Sequence, residues 1–347
     1  MLNGNYKVSY RDDIKIFQTG FVKFWLYLFL ALCFVFPIVA DRYFLYMANL
    51  AMIAILGALG LNILVGYTGL ISIGHAAFLA IGAYTCTILI TRFHVPFIAA
   101  IPLAGIASAA AGLIVAVPSL RLKGLYIAIT TFAFGFIVQH VIVRWDSVTG
   151  GPDGLSVPPV DLLGISLDSD RRYCYFLLIM VIGFTAFAKN LFRTRVGRAF
   201  IAIRDHDTAA EVMGIELAKY KLLSFSISSF YGGVAGAVFA AYLKFITFEH
   251  FTLGLSISYL AMIVVGGFGS ILGSICGAVF ITLLPEAIQM GTDLVRDQFP
   301  LLTTRFAALK TVINGLIIVL FLLFEPDGMY GRWQKIKAYW TNWPFTY

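Results

Sequence analysis

Charged residues are scarce in this sequence. They make up 12% of the chain, whereas about 25% is usual for a soluble globular domain. Hydrophobic residues reach 60%, and the mean hydropathy is +0.88. This shortage of charge excludes an ordinary soluble domain. The 347 residues leave room for roughly eight to ten membrane spans of about 20 residues each.

The signatures of common enzyme classes are also missing. The sequence contains no GxxxxGKS/T phosphate-binding loop, no HExxH zinc motif and no GxSxG nucleophile motif. Its four cysteines lie singly in apolar runs, and its five histidines are scattered without metal-ligand spacing. We therefore predict no catalytic, cofactor-binding or metal-binding residue, and interpret the cysteines as small packing residues.

Acidic residues are nearly absent from the interiors of the apolar stretches, where Glu286 stands alone near one end. A proton-coupled pump usually needs buried ionisable groups as relays. Their shortage favours a pathway that is gated by something other than proton movement. The net charge of +7 lies in short loops between apolar stretches, so we predict no nucleic-acid partner.

What the sequence does have is a series of long apolar stretches. Stretch 43–91 is too long for one crossing of a core about 30 Å thick, so we place a break at Gly66–His75. Stretch 250–285 likewise divides near Val265–Gly273. The fold class is therefore an all-α polytopic membrane protein, one domain over 1–347, in which some helices are broken or re-entrant. The ten predicted spans are 22–40, 44–65, 75–92, 97–117, 124–143, 173–190, 220–243, 257–271, 273–290 and 307–324.

The distribution of cations orients these spans. With the N-terminus inside, 16 of the 25 Lys and Arg residues fall on one side and nine on the other, which fits the positive-inside rule. We therefore predict that both termini and loop 191–219 are cytoplasmic and that loop 144–172 is periplasmic. The periplasmic loop carries TGGPDGL (149–155), which is either a tight turn or a docking point for an external partner. The C-terminal GRWQKIKAYWTNW is predicted to lie along the inner membrane surface, against lipid.

The richest membrane segment is Leu61–Thr85, where glycines weaken the helix and polar groups cluster. Unwound backbone at membrane depth is tolerated only beside protein or a watery cavity. One interpretation is that this segment lines a path across the membrane; the other is close helix packing through small residues, with His75 as a packing histidine. Leu260–Ala278 repeats the glycine spacing and suggests a duplicated interrupted helix. The predicted path residues are Asn62, Tyr67, Gly69, Ser72, Gly74 and His75.

Loop 191–219 contains a predicted short helix. Thr208 and Glu211 have capping-box spacing, so the helix would begin at Thr208, and Gly214 would end it. Ala209 and Ala210 would give it a flat face that another protein can approach. Four arginines surround it with positive charge. The loop is thus either a docking surface for a soluble partner or an inert basic loop.

Several long motifs, in order, identify the chain as a member of a known family. They are GLNILVGYTGLISIGHAAFLAIGAYT, RLKGLYIAITTFAFGFI, TGGPDGL, GRAFIAIRDHDTAAEVMGI and YLAMIVVGGFGSILGSICGAVFITLLPE. Together they resemble LivM-type permeases, the membrane subunits of ATP-binding-cassette importers for branched-chain amino acids. The resemblance covers about residues 45–325.

The resemblance implies a set of partners and a location. It implies a second, LivH-type permease, two cytoplasmic ATPase subunits and a periplasmic substrate-binding protein, all at the bacterial inner membrane. ATP would be used by the partner subunits, with no cofactor in this chain. The cargo would be leucine, isoleucine or valine. Two alternatives remain: a permease of the same architecture for urea or short amides, and a stand-alone secondary transporter.

The resemblance also assigns a role to loop 191–219. In this family the ATPases engage a cytoplasmic coupling helix marked by an EAA-x3-G pattern. The leading Glu of that pattern is Thr208 here, which rules out a salt bridge from this position. The residues implied in ATPase coupling are Arg204, Asp207, Thr208, Ala209, Ala210, Glu211 and Gly214.

Overall fold

The computed structural model describes most of the chain, and within it the chain is almost entirely helical, which confirms the all-α class. The described residues are 20–120, 122, 124–162, 164–295, 312, 315, 316, 319–321, 323, 324 and 328–342. Helices α1 to α13 are Gly20–Val39, Arg42–Asn62, His75–Phe93, Phe97–Ser119, Leu125–Arg144, Asp146–Thr149, Asp170–Leu191, Arg195–Asp205, Asp207–Val212, Leu217–Leu243, Leu253–Gly266, Ile271–Val295 and Gly328–Asn342.

Short elements fill the connections. A π-helical turn, Ile63–Tyr67, continues α2, and 3-10 turns occupy Gly151–Asp153 and Phe248–Phe251. Strand β1 (Leu155–Ser156) pairs antiparallel with β4 (Phe245–Ile246), with Leu155 opposite Ile246. Strand β2 (Asp161–Leu162) pairs antiparallel with β3 (Ile165–Ser166). All four strands lie in connections outside the long helices.

Seven helical segments among the described residues are long and apolar enough to cross a membrane. They are Arg42–Tyr67, His75–Phe93, Phe97–Ser119, Leu125–Arg144, Asp170–Leu191, Leu217–Leu243 and Ile271–Met290. Two shorter apolar helices, Lys23–Val39 and Leu253–Gly266, occupy the predicted segments 22–40 and 257–271. The predicted span 307–324 lies largely outside the described residues. The chain is therefore a multi-pass membrane protein.

One predicted span needs correction. The segment predicted at 257–271 is the helix α11, which begins at Leu253 and ends at Gly266, and so has 14 residues. At 1.5 Å per residue it is only about 21 Å long, shorter than a membrane core of about 30 Å. α11 is therefore a half-length helix. Both predicted breaks are confirmed, since α2 with its π-helical turn ends at Tyr67 and α3 begins at His75, while α12 follows α11 at Ile271.

Polar contacts gather the connections at one end of the bundle, which we call the hairpin side because it carries 144–172. The Tyr43 hydroxyl donates to a Glu286 carboxylate oxygen over 2.7 Å, and Arg42 pairs with Asp170 at 3.5 Å. Lys244 Nζ lies 3.0 Å from Asp168 Oδ1, and this hydrogen bond holds the pKa of the Asp168 carboxyl below its usual value. These contacts join the starts of α2 and α7 and the end of α10, and they tie the start of α2 to the interior of α12. The opposite end, which carries 191–219, is called the loop side.

Small residues bring the central helices into close contact. α10 packs against α4, α3 and α2, and a side chain at Gly82 would collide with the backbone of Gly233. A side chain at Gly236 would likewise collide with the Leu79 carbonyl. Lipid is as apolar as the helix surfaces, so membrane helices associate chiefly through packing of this kind. α10 is therefore the central helix of the core, in close contact with both α3 and α4.

Candidate functional site

The first break is a helix end that is capped by hydrogen bonds from the residues that follow it. After the π-helical turn, Gly69 adopts φ +74° and donates its N–H to the Val65 carbonyl over 3.1 Å. The N–H of Leu70 donates to the Leu64 carbonyl, and the Thr68 hydroxyl donates to Ile63 O. These are the bonds of a left-handed helix cap, which favours glycine at the turning position. The predicted path residue Gly69 is therefore required by the turn.

Beyond this cap the chain runs into the bundle to the start of α3. The Ile73 N–H donates to Thr131 Oγ1 of α5 over 3.1 Å. A side chain on Gly74 would collide with the Thr131 carbonyl oxygen, so only glycine fits there. Ser72 is fully buried, and its hydroxyl has no hydrogen-bond partner among the described residues. Residues 72–74 thus run tightly against α5.

His75 begins α3 and is buried. Its Nε2 lies 3.0 Å from the Gly57 carbonyl oxygen, which can only accept, so this nitrogen carries the proton. The rings of Phe78 and Tyr259 pack edge-on against the imidazole, with centroids 6.3 and 5.4 Å away. In this conformation His75 holds α3 to α2, which is the arrangement expected of a packing histidine. That His75 lines the transport path in another conformation stays a prediction.

Asn62 joins the two breaks of the molecule. Its Nδ2 donates to the Ser270 carbonyl and its Oδ1 accepts the Gly269 N–H, each over 3.0 Å. The amide side chain is 1% exposed, so both bonds are shielded from water. The glycine segments around 66 and 269, which the sequence related only by similar spacing, are therefore in direct contact. Tyr67 lies beside them, half-buried and stacked on Phe192.

The starts of two helices meet at a small groove between α3, α5 and α11. The Ala76 N–H at the start of α3 donates to Ser256 Oγ at the start of α11, over 2.9 Å. A narrow groove of about 20 Å³, room for about one water molecule, opens next to this bond. Its lining consists of Ile73, Gly74, Ala76, Ala77, Phe132, Gly135, Phe136, Gln139, Phe251, Thr252, Leu253 and Ser256. The groove is mostly apolar and faces the positive ends of two helix dipoles.

Loop 191–219 folds into two helices at the loop side. Thr194 caps α8, accepting the Gly197 N–H at 3.4 Å, and α9 follows after His206 alone. The predicted start of the short helix is wrong by one residue. α9 begins at Asp207 with His206 as its N-cap, and Thr208 donates its N–H to Asp207 Oδ1. The capping box does not form because Thr208 already lies inside the helix.

Gly214 ends α9 as predicted. Its φ is +83°, its N–H donates to the Glu211 carbonyl over 2.9 Å, and the Ile215 N–H donates to Ala210 O over 3.0 Å. This pair of bonds is the Schellman motif. Apart from its two chain neighbours, no atom of the described residues lies within 4 Å of the place where a Cβ on Gly214 would stand. The need for glycine here is therefore conformational and not steric.

The exposed face of α9 differs from the one predicted. Ala210 is 4% exposed and packs inside the chain, so it cannot form part of an outward flat face. Thr208, Ala209 and Glu211 are exposed. The side chains of Val212 and Met213, which sequence reasoning missed, are 87% and 82% exposed. The available signal was a pair of large apolar residues outside any span.

On the hairpin side, TGGPDGL forms the predicted tight turn. Gly150, Gly151 and Gly154 all have positive φ, and side chains on Gly150 and Gly154 would collide with carbonyl groups. The turn leads directly into β1, which pairs with β4. Docking of an external partner here stays a prediction.

Comparison with known proteins gives consistent matches. Residues 43–322 match the protein family described as branched-chain amino acid transport system / permease component. The chain is 32% identical over 331 residues to the LivM permease of the high-affinity branched-chain amino acid transport system of Salmonella typhimurium, a match covering 88% of this chain and 74% of the relative. The Escherichia coli LivM gives the same identity and coverage. The BraD permease of Pseudomonas aeruginosa is 27% identical over 322 residues, covering 81% of this chain and 92% of the relative. No solved structure matches significantly.

Proposed function

Because the chain belongs to the family of branched-chain amino acid transport system permease components, we propose that it is the permease subunit of an ATP-driven importer for leucine, isoleucine and valine. The observation that carries this proposal is the match to LivM over 88% of the chain. The membrane spans of the helical bundle agree with a permease subunit. A permease subunit transports and does not catalyse a reaction of its own. ATP hydrolysis belongs to partner subunits.

The partners follow from this role. A second, LivH-type permease completes the membrane path, two ATPases bind on the cytoplasmic side, and a periplasmic binding protein delivers the cargo. The cation count of 16 to nine supports a cytoplasmic loop side, with both termini on that side. The location is the bacterial inner membrane.

The groove beside Ser256 has room for about one water molecule in this conformation, so it would have to widen to admit a zwitterion with an apolar side chain. The positive ends of α3 and α11 favour the carboxylate of such a cargo. The rings of Phe132 and Phe136 and the side chain of Leu253 form an apolar wall for its side chain. Movement that opens the chain between Gly69 and His75 would lengthen this groove into a path. The predicted path residues Asn62, Tyr67, Ser72 and Gly74 flank that route.

Coupling to the ATPases falls to α9. Its exposed residues Thr208, Ala209, Glu211, Val212 and Met213 form a surface of one acid, one hydroxyl and two large apolar side chains. Apolar side chains this exposed, with a carboxylate beside them, suit a protein groove. Arg204 and Asp207 flank this surface, and Gly214 turns the chain out of it.

The test is reconstitution of the permease with its partners in liposomes. With the binding protein outside and ATP inside, we expect uptake of radiolabelled leucine that unlabelled isoleucine and valine suppress and urea does not. Uptake of urea but not of leucine would show that urea is the cargo, and the proposed importer architecture would still hold. Leucine uptake without ATP or ATPase subunits would reject the importer and establish a secondary transporter.

A further inference from the structure

Arg204 is exposed at the loop side, and one end of its guanidinium reaches the first helix break. It lies in the last turn of α8, three residues before α9 begins. Its Nη1 donates to the Gly66 carbonyl over 2.8 Å, at the end of the helix that runs through α2 and the π-helical turn. The side chain is 39% exposed, so this bond is only partly open to water. A residue assigned to the docking loop is thus anchored in the first break.

Two glycines, Gly69 and Gly269, make room for this side chain. A Cβ on Gly69 would lie 3.1 Å from Arg204 Cγ and 3.3 Å from its Cα, so the backbone of α8 also touches the first break. A Cβ on Gly269 would lie 2.7 Å from Arg204 Nη1, so the guanidinium fits against the second break only because that residue is glycine. Gly66 in turn faces Gly269. The arginine therefore contacts both breaks at once.

The electrostatics of the contact are favourable. The carbonyl end of a helix carries a partial negative charge, and a cation placed there is stabilised. The hydrogen bond to Gly66 is charge-assisted, which makes it stronger than a bond between neutral groups. Asp205 lies beside the guanidinium, with Oδ1 3.3 Å from Arg204 Nε, and limits its orientation. Asn62 independently ties the two breaks together, so the three segments form one junction.

We propose that Arg204 is the positioning residue that transmits movement of α9 to the two helix breaks. The inference rests on the proposed function, because it takes the ATPases as the source of that movement. Only His206 separates α8 from α9, so displacing α9 also displaces the last turn of α8. A shift of about 1 Å takes a hydrogen bond of this length beyond its effective range. Loss of the bond to Gly66 then frees the cap at Gly69 and the second break together.

A purely structural role predicts something different. If Arg204 only capped the end of the α2 helix, its removal would loosen both breaks in every state and leave their response to ATP intact. Transmission predicts that the response of the breaks to ATP is lost while the response of α9 remains. These two outcomes can be separated by measuring both regions in two nucleotide states.

The experiment is amide hydrogen exchange on the permease bound to its ATPases, with and without ATP and vanadate. In the wild type, exchange should change in α9 and in segments 66–75 and 266–271 together. In Arg204→Met, which keeps the aliphatic stem against Gly69, the change in α9 should persist and the change in both segments should disappear. Arg204→Lys, which keeps one cationic donor, should recover part of it. Arg198→Met removes the same charge from an exposed position of α8 and should behave as wild type.

Uptake in liposomes should fall roughly tenfold or more in Arg204→Met and little in Arg198→Met, since a charge-assisted hydrogen bond has about that effect on an equilibrium. Breaks that still respond to nucleotide in Arg204→Met overturn the proposal, and so do wild-type breaks that never respond. If Arg204→Met does not assemble, an Arg204→Lys response equal to wild type overturns it and a reduced response supports it. A wild type whose breaks respond but which does not import leucine rejects the proposed cargo and leaves the transmission established.

Discussion

Two glycines of this molecule are required for different physical reasons. Gly214 is needed for its left-handed backbone, with open space around it, whereas Gly74 is needed because the Thr131 carbonyl occupies the space of a side chain. The first need is met by a residue that tolerates positive φ, and the second only by the absence of a Cβ. Substitutions at the two positions should therefore fail for different reasons.

At Gly214 we expect Gly214→Val to weaken ATPase binding while the chain still inserts into the membrane. A β-branched residue pays about 1–2 kcal/mol in the left-handed conformation, which misdirects the end of α9. The measurement is copurification of the ATPases and substrate-stimulated ATP hydrolysis. Gly214→Asn, which tolerates positive φ, is the control and should stay near wild type. Normal stimulated hydrolysis in Gly214→Val would show that α9 does not carry the coupling.

At Gly74 we expect Gly74→Ala to lower the melting temperature of the purified protein and its uptake. The added methyl group must push α3 away from α5, and overpacking of this kind typically costs about 1–3 kcal/mol. Gly135→Ala on α5 is the matched control, because its nearest neighbour outside its own helix would lie at 3.8 Å. Equal melting temperatures for the two variants would contradict the tight contact between residues 72–74 and α5.

At the scale of elements, the first turns of two helices, α3 and α11, are held together by a hydrogen bond. α11 has only 14 residues, and α3 begins deep enough for Ser256 to accept the Ala76 N–H. A buried helix start normally leaves N–H groups without partners, and here a side chain of the other helix supplies one acceptor. The pairing of α3 and α11 is what places the groove between them.

We expect Ser256→Ala to destabilise this arrangement and lower uptake. The change leaves the Ala76 N–H without its acceptor in a buried site, which costs about 1–3 kcal/mol. Thermal unfolding and leucine uptake are the measurements. Ser258→Ala, two residues along α11, removes only a bond from an exposed hydroxyl to the Gly254 carbonyl and serves as control. A Ser256→Ala variant as stable and active as Ser258→Ala would exclude this role for the hydroxyl.

At the scale of the whole molecule, the two ends of the bundle differ in what they connect. The hairpin side is fixed by ion pairs and short strands around Asp168 and Asp170, whereas the loop side gathers both breaks around Arg204 and Asn62. The ion pairs of the hairpin side are largely exposed to solvent and contribute little stability, whereas the bonds of Asn62 on the loop side are buried.

The sidedness has its own test. A single cysteine in place of His206, in a background without Cys33, Cys86, Cys174 and Cys276, should resist a membrane-impermeant thiol reagent in intact cells and react after the cells are opened. His206 is exposed, so the cysteine will be accessible on whichever side it lies. A cysteine in place of Ser147 on the hairpin side should react in intact cells. Labelling of position 206 in intact cells would reverse the orientation and reject the proposed ATPase docking.

The sequence by itself determined the class, the breaks and the family. Hydropathy predicts the spans because lipid excludes unpaired polar groups. Glycine clusters predict where helices stop, and Gly214 predicts a left-handed turn. All three signals are local properties of a few neighbouring residues. The order of the sequence motifs identified the family, and each motif is likewise a run of neighbouring residues. Only the tertiary structure decided that the segments around Gly66 and Gly269 touch, that Asn62 bonds them and that Arg204 contacts both. It also decided that His75 and Ala210 are buried and that α11 is half-length. These features depend on which helices lie side by side, and that is set by packing between residues far apart in the chain.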